Sequence, residues 1–246
     1  MKQLKYFILI IQIMSISLFT TGMKAQRLTT QRSHLSEKDK NIITISSFTA
    51  QGRLPELKGS LNSGLESGLT INEIKEILIH TYAYCGFPRS IRGLQSFMEV
   101  LEERKAKGIN DNIGKAASII GNNNSKYARG KKILEELTRT QQPDKLSGYS
   151  AFAPAIDTFL KEHLFADIFE RDVLTYVQRE LATISVITAI GDADPMLQSH
   201  LGISLNLGWS PEQLNEFVTI ISSTISIEKS NAAKMILNQV LKNRTK

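Results

Sequence analysis

A single segment written twice constrains the fold of this chain more than any other feature. The stretch IITISSFTAQGRLPELKGSLNSGLESGLTINEI, from Ile42, lies over LATISVITAIGDADPMLQSHLGISLNLGWSPEQL, from Leu181, with one residue inserted in the second copy. Thr44, Ile45, Ser46 and Gly52 match Thr183, Ile184, Ser185 and Gly191; beyond the insertion Pro55, Leu57, Gly68 and Ser90 match Pro195, Leu197, Gly208 and Ser230. The punctuation of both copies is that of helices. Thr70 to Glu73 and Ser210 to Gln213 are capping boxes at the same step of each copy, Asp194 before Pro195 reads as a capped helix start, and Gly208 as a left-handed stop. Each unit therefore reads as a long apolar helix, a short helix, a third apolar helix (71–82; 211–224), a break and a final amphipathic helix (90–107; 228–242), with negligible strand content. The chain is predicted to be all-α, a first unit over 36–108 and a second over 131–242, joined by a polar linker over 109–130.

One acidic residue does not suit this pattern. If Leu174, Val177, Leu181, Ile184 and Ile187 form the buried stripe of a helix, Glu180 lies on that stripe. Twenty positions later His200 shares a helical face with Leu197, Leu201 and Ser204, so it also points inward. A carboxylate that accepts a hydrogen bond from one imidazole nitrogen fixes the tautomer and leaves the other nitrogen to move a proton. Such a pair can equally tie two helices together. The first copy has Asn41 and Ser60 at these positions, so only the second copy can hold the pair. His80, Tyr82, Tyr84 and Arg92 surround the segment YAYCGFP of the first copy; Arg92 is a candidate for holding a carboxylate and Tyr84 a candidate ligand contact.

The N-terminus has the order of a secretory leader: Lys2 and Lys5, an apolar run from Tyr6 to Phe19, then small and polar residues around Ala25. A signal peptide over 1–25 and export to the bacterial periplasm are expected, with no membrane span in the mature chain. The net charge of +6 is scattered among acids without a basic block, which argues against nucleic acid as a partner. Cys85 is the only cysteine, so no internal disulfide, no CxxC pair and no multi-cysteine metal site can form. Four scattered histidines give no metal-ligand spacing. In AFAPAIDTFLKEHLFADIF, the spacing of Phe152, Ile156, Phe159, Leu160 and Leu164 predicts a packed helical stripe.

RELATISVITAIGD, QSHLGISLNLG and the S-P-E-Q helix start, with INEIKEILIHTYAYCGFPRSIRGL in the first copy, resemble the carboxymuconolactone decarboxylase family, which includes the alkylhydroperoxidase D-like proteins. The resemblance implies two tandem all-helical units and assembly as a trimer- or hexamer-like homo-oligomer. It places Glu180 and His200 at the positions members use around their active centre. Ala193 and Met196 occupy the region where the peroxidase branch carries its dithiol, so that mechanism is not available within one chain. The expected activity is proton transfer on a small carboxylate or lactone without a cofactor, with Glu180 and His200 catalytic and Arg92, Tyr84 and Ser204 contacting the substrate. Two other readings stay open: a redox protein using the lone Cys85 thiol, and a non-catalytic oligomeric binding module.

Overall fold

The computed structural model describes residues 34–121 and 124–244, so the leader expected over 1–25 lies outside the described residues. Ten α-helices and one π-helix are present and no strand among the described residues: α1 Glu37–Gln51, α2 Leu54–Glu66, α3 Ile71–Ala106, α4 Lys126–Thr138, α5 Gly148–Phe152, α6 Pro154–Thr158, the π-helix Phe159–Phe169, α7 Tyr176–Ile190, α8 Asp194–Asn206, α9 Pro211–Thr224 and α10 Ile227–Arg244. No helix among them is long and apolar enough to cross a membrane.

The two units start their helices in the same way. Both expected capping boxes form, and two more open the first helix of each repeated segment, Ser36 with Asp39 before α1 and Thr175 with Gln178 before α7. Asp194 is not the cap expected of it: Ala193 holds that position without a side-chain bond, and Asp194 is the first residue of α8. The break expected in the first unit falls within α3, where Gly86 leaves helical geometry at φ 79° and ψ 161°. Past each break a serine donates back to the helix before it, Ser90 Oγ to the Leu78 carbonyl at 2.7 Å and Ser230 Oγ to the Val218 carbonyl at 2.9 Å. Within the segment 109–130 read as linker, α4 begins at Lys126. Asn112 and Ile113 tie this segment to the start of α3, where their carbonyls accept from the Ile71 and Asn72 amides.

One hydrophobic core runs through both units, from Ile42, Ile45, Leu57 and Ile77 to Leu181, Ile184, Leu201 and Leu237. Its axis is the packing of α1 on α7, stitched by Gln51 Nε2 donating to the Ala189 carbonyl at 3.1 Å. The charged contacts across this seam are reciprocal. Glu76 of the first unit binds Arg179 of the second at 2.8 Å, while Glu216, the repeat equivalent of Glu76, binds Lys40, the equivalent of Arg179, at 3.5 Å. Each copy thus presents the same surface to the other, as two equivalent units related by a two-fold require.

Between the units, α4 and the π-helix form a cap on the second unit. Here the helical-stripe expectation fails in part: Phe152, Ile156 and Phe159 are exposed, and the buried side is made by Leu164, Phe165, Ile168 and Phe169. Phe152 and Ile156 lie in the separate short helices α5 and α6, and from Phe159 the wider turn of the π-helix changes which residues share a face, so one stripe at the α-helical period does not hold across the three elements. Gly130 lets α4 approach closely, because a Cβ there would lie 1.7 Å from the Lys161 carbonyl oxygen of the π-helix. Gly130→Ala is expected to cost about 1–3 kcal/mol in thermal denaturation, through the backbone shift it forces. Gly59→Ala, where a Cβ meets nothing within 4 Å, should instead raise stability slightly, as helix propensity dictates.

Candidate active site

Glu180 sits on the second turn of α7, a helix so enclosed that Arg179 through Ala189 are all buried. Its side chain is 0% exposed, and Oε2 lies 2.8 Å from Nδ1 of His200 on α8. The carboxylate can only accept, so Nδ1 carries the hydrogen and Nε2 is the imidazole's free lone pair. Oε1 of Glu180 is buried without a hydrogen-bond partner among the described residues. The whole capacity of this carboxylate is therefore directed at one imidazole.

His200 borders a cavity of about 590 Å³. On α8 the lining residues are Met196, Ser199, His200 and Ile203, a stripe spaced i, i+3, i+4, i+7. Leu197, Leu201 and Ser204 form the adjacent stripe, which faces the core. This corrects the role expected of Ser204: it is fully buried and outside the cavity lining, and its hydroxyl has no partner among the described residues. His200 lies on the border between the two stripes, which lets it reach Glu180 on one side and the cavity on the other.

The first unit contributes to the same place. Tyr84 of α3 lines the cavity, and its ring meets the His200 imidazole edge-on with centroids 6.0 Å apart. Behind it is a buried relay that the sequence reading did not assemble. Nη1 of Arg179 donates to Nδ1 of His80 at 3.4 Å, Nε2 of His80 lies 2.9 Å from Thr183 Oγ1, and Thr183 Oγ1 lies 3.1 Å from the Tyr84 hydroxyl. A guanidinium only donates, so His80 accepts at Nδ1 and must donate from Nε2 to Thr183. Burial, with the Arg179 charge adding to it, pushes the His80 pKa well below its ordinary value, which keeps the ring neutral. Burial also raises the Tyr84 phenol, helped by the Glu180 charge, so Tyr84 stays a hydrogen-bond donor. Arg179 is itself held by Glu76, which also takes Arg171 through two of its nitrogens.

Arg92, expected to anchor a carboxylate, does not join this group. Beyond the Gly86 break the inward stripe of α3 is Ser90, Gly93, Phe97 and Val100, and Arg92 falls on the opposite, exposed face, bonded to Gln95 at 2.5 Å. Cys85 is half-buried, and its thiol donates to the Thr81 carbonyl at 3.1 Å. Burial pushes that thiol up to about 11, the opposite of what a reactive cysteine needs. No group of three or more metal-binding side chains occurs among the described residues.

The site is thus asymmetric although the scaffold is duplicated. The second unit provides Glu180 and His200, and the first provides His80 and Tyr84. Under the repeat offsets the mirror-image positions hold Asn41, Ser60, Ile220 and Thr224, which cannot form the same pair. Comparison with known proteins agrees with the architecture. The model of the carboxymuconolactone decarboxylase family matches residues 18–97 and again 154–239. A protein of Acinetobacter baylyi named 4-carboxymuconolactone decarboxylase is 25% identical over 122 residues, which is 49% of this chain and 90% of that protein. Two matched regions, spanning well over half of the sequence, show that the chain belongs to the carboxymuconolactone decarboxylase family as an all-helical protein of two tandem units.

Proposed function

We propose that this protein is a decarboxylase-like enzyme that moves a proton at a carbon beside a carbonyl group, in a small lactone or carboxylate. The observation that carries this reading is the 2.8 Å contact between Glu180 and His200, with His200 on the wall of the cavity. His200 Nε2 takes the proton, or returns it after another bond has broken. Glu180 holds the ring and balances the imidazolium that forms, and the Tyr84 hydroxyl donates to the carbonyl oxygen as negative charge develops on it. This assignment uses side chains alone. Export to the periplasm and assembly into a homo-oligomer belong to the same proposal, supported by the leader pattern and by the family.

The test is exchange in D2O, with a panel of lactones and keto acids followed by proton NMR at the position beside the carbonyl. Deuterium entry or loss of carbon dioxide above the rate without enzyme is the expected result; a panel with neither would refute the reading. Cys85→Ala is expected to match wild type in that assay and to leave peroxide consumption unchanged. With a thiol pKa near 11, only about one part in 10⁴ would be thiolate at pH 7, and no second cysteine exists to resolve an oxidised product. Loss of turnover in Cys85→Ala would favour the single-thiol redox reading instead.

A further inference from the structure

The lining of the cavity restricts its ligand by charge. Of the sixteen residues around it, none is Lys, Arg, Asp or Glu. Cations close by in the fold are committed elsewhere. Lys161 is bound to Asp157 at 2.7 Å and Lys131 to Asp144 at 2.6 Å; Arg139 bonds the Asn206 carbonyl, and Lys229 the Ile190 carbonyl at 2.7 Å. Lys145 is exposed in a separate depression beyond Gln142 and Tyr149. A ligand carboxylate drawn into the cavity would therefore give up water contacts without a guanidinium or ammonium on the wall to replace them. Polar side chains such as Tyr84, Gln142, Ser199 and His200 share the lining with apolar ones such as Leu134, Leu164, Ile187 and Ile203.

Resting on the proton-transfer reading above, we infer that the substrate of this site is a neutral carbonyl compound with an apolar tail, of the alkyl-lactone class, and not a carboxylate. Its carbonyl oxygen accepts from Tyr84 and its tail lies under the cap, in a volume within the range of sites that enclose a whole small molecule. Such a substrate has no carbon dioxide to lose, so the reaction is a relocation of hydrogen. The C–H bond beside the carbonyl breaks with its proton passing to His200 Nε2, the electron pair enters the enolate, and the same nitrogen returns the proton to a conjugated carbon of an unsaturated lactone.

Calorimetric titration of the mature chain with γ-undecalactone and with undecanoate, which have equal carbon counts, tests the charge preference. The lactone is expected to bind at least ten-fold more tightly than the carboxylate. Thr138→Arg, on the last turn of α4 at the cavity wall, should shift that ratio at least ten-fold toward undecanoate. Gln142→Lys at the rim should do the same if the first variant does not fold. Tighter binding of undecanoate by wild type, absence of saturable lactone binding, or an unchanged ratio in the folded variants would overturn the inference. His200→Gln should keep lactone affinity within a few-fold while losing proton exchange. Lactone binding without exchange in the wild type would refute the proton-transfer reading alone and leave the ligand class standing.

Discussion

His200→Gln is expected to lower the rate of proton exchange by a factor on the order of 10²–10⁴, the usual contribution of a positioned general acid–base. Glutamine keeps the size and a donor toward Glu180 but has no nitrogen that can accept and return a proton near neutral pH. The fold should survive, because the His200 side chain is 15% exposed at the cavity edge, outside the close-packed core. Glu180→Gln should also slow exchange, since the imidazolium would lose its counter-charge and an amide can donate to Nδ1, which reverses the tautomer and places the hydrogen on Nε2. Circular dichroism and a thermal melt on each variant separate these losses from unfolding. A His200→Gln protein exchanging at the wild-type rate would mean that the pair only ties α7 to α8.

The largest expected effect on stability lies at Glu76. Arg179 is 0% exposed, and its guanidinium depends on this carboxylate, 2.8 Å away and itself nearly completely buried. Burial lowers the Arg179 pKa and Glu76 opposes that shift, so the charge is tolerated because of its partner. Glu76→Gln leaves a buried cation without a counterion, an imbalance expected to cost about 3–5 kcal/mol. For a chain of this size that corresponds to a fall in Tm of roughly 6–20 °C. The double variant Glu76→Leu with Arg179→Met should recover much of the loss, because it removes both charges and keeps the volume. A melt of Glu76→Gln within about 1 kcal/mol of wild type would contradict this account. The same ion pair holds the arginine that sets the His80 tautomer, so Glu76→Gln should also weaken the support behind Tyr84.

Much of the architecture was legible because helix signals are local. Capping boxes, proline at helix starts and glycine stops act over four residues, and each appears twice at matching steps, so element type and order followed from the repeat. Asp194 and the cap stripe are the exceptions. The first was displaced by one position at a helix start, and the second was read as one continuous stripe across three separate elements, α5, α6 and the π-helix. The seam between the units had a signal that a closer reading of the repeat would have found: Lys40 and Arg179 fall at equivalent positions, as do Glu76 and Glu216, a complementary charge pattern suited to two copies facing each other.

The sequence by itself determined that this chain is a tandem helical protein, that only its second copy can join a glutamate to a histidine, and that no dithiol can form within one chain. These depend on residue identity and on spacing within one helix or between paired copies. Only the tertiary structure decided which groups share the cavity. It excluded Arg92 and Ser204, brought Tyr84 and His80 across from the other unit, and roofed the site with a cap containing no charge on its inner wall. The physical reason is that a cavity is made by faces of several helices. The rotation of each face, as at α8 and beyond the Gly86 break, is set by packing against the others and is not encoded in any one segment.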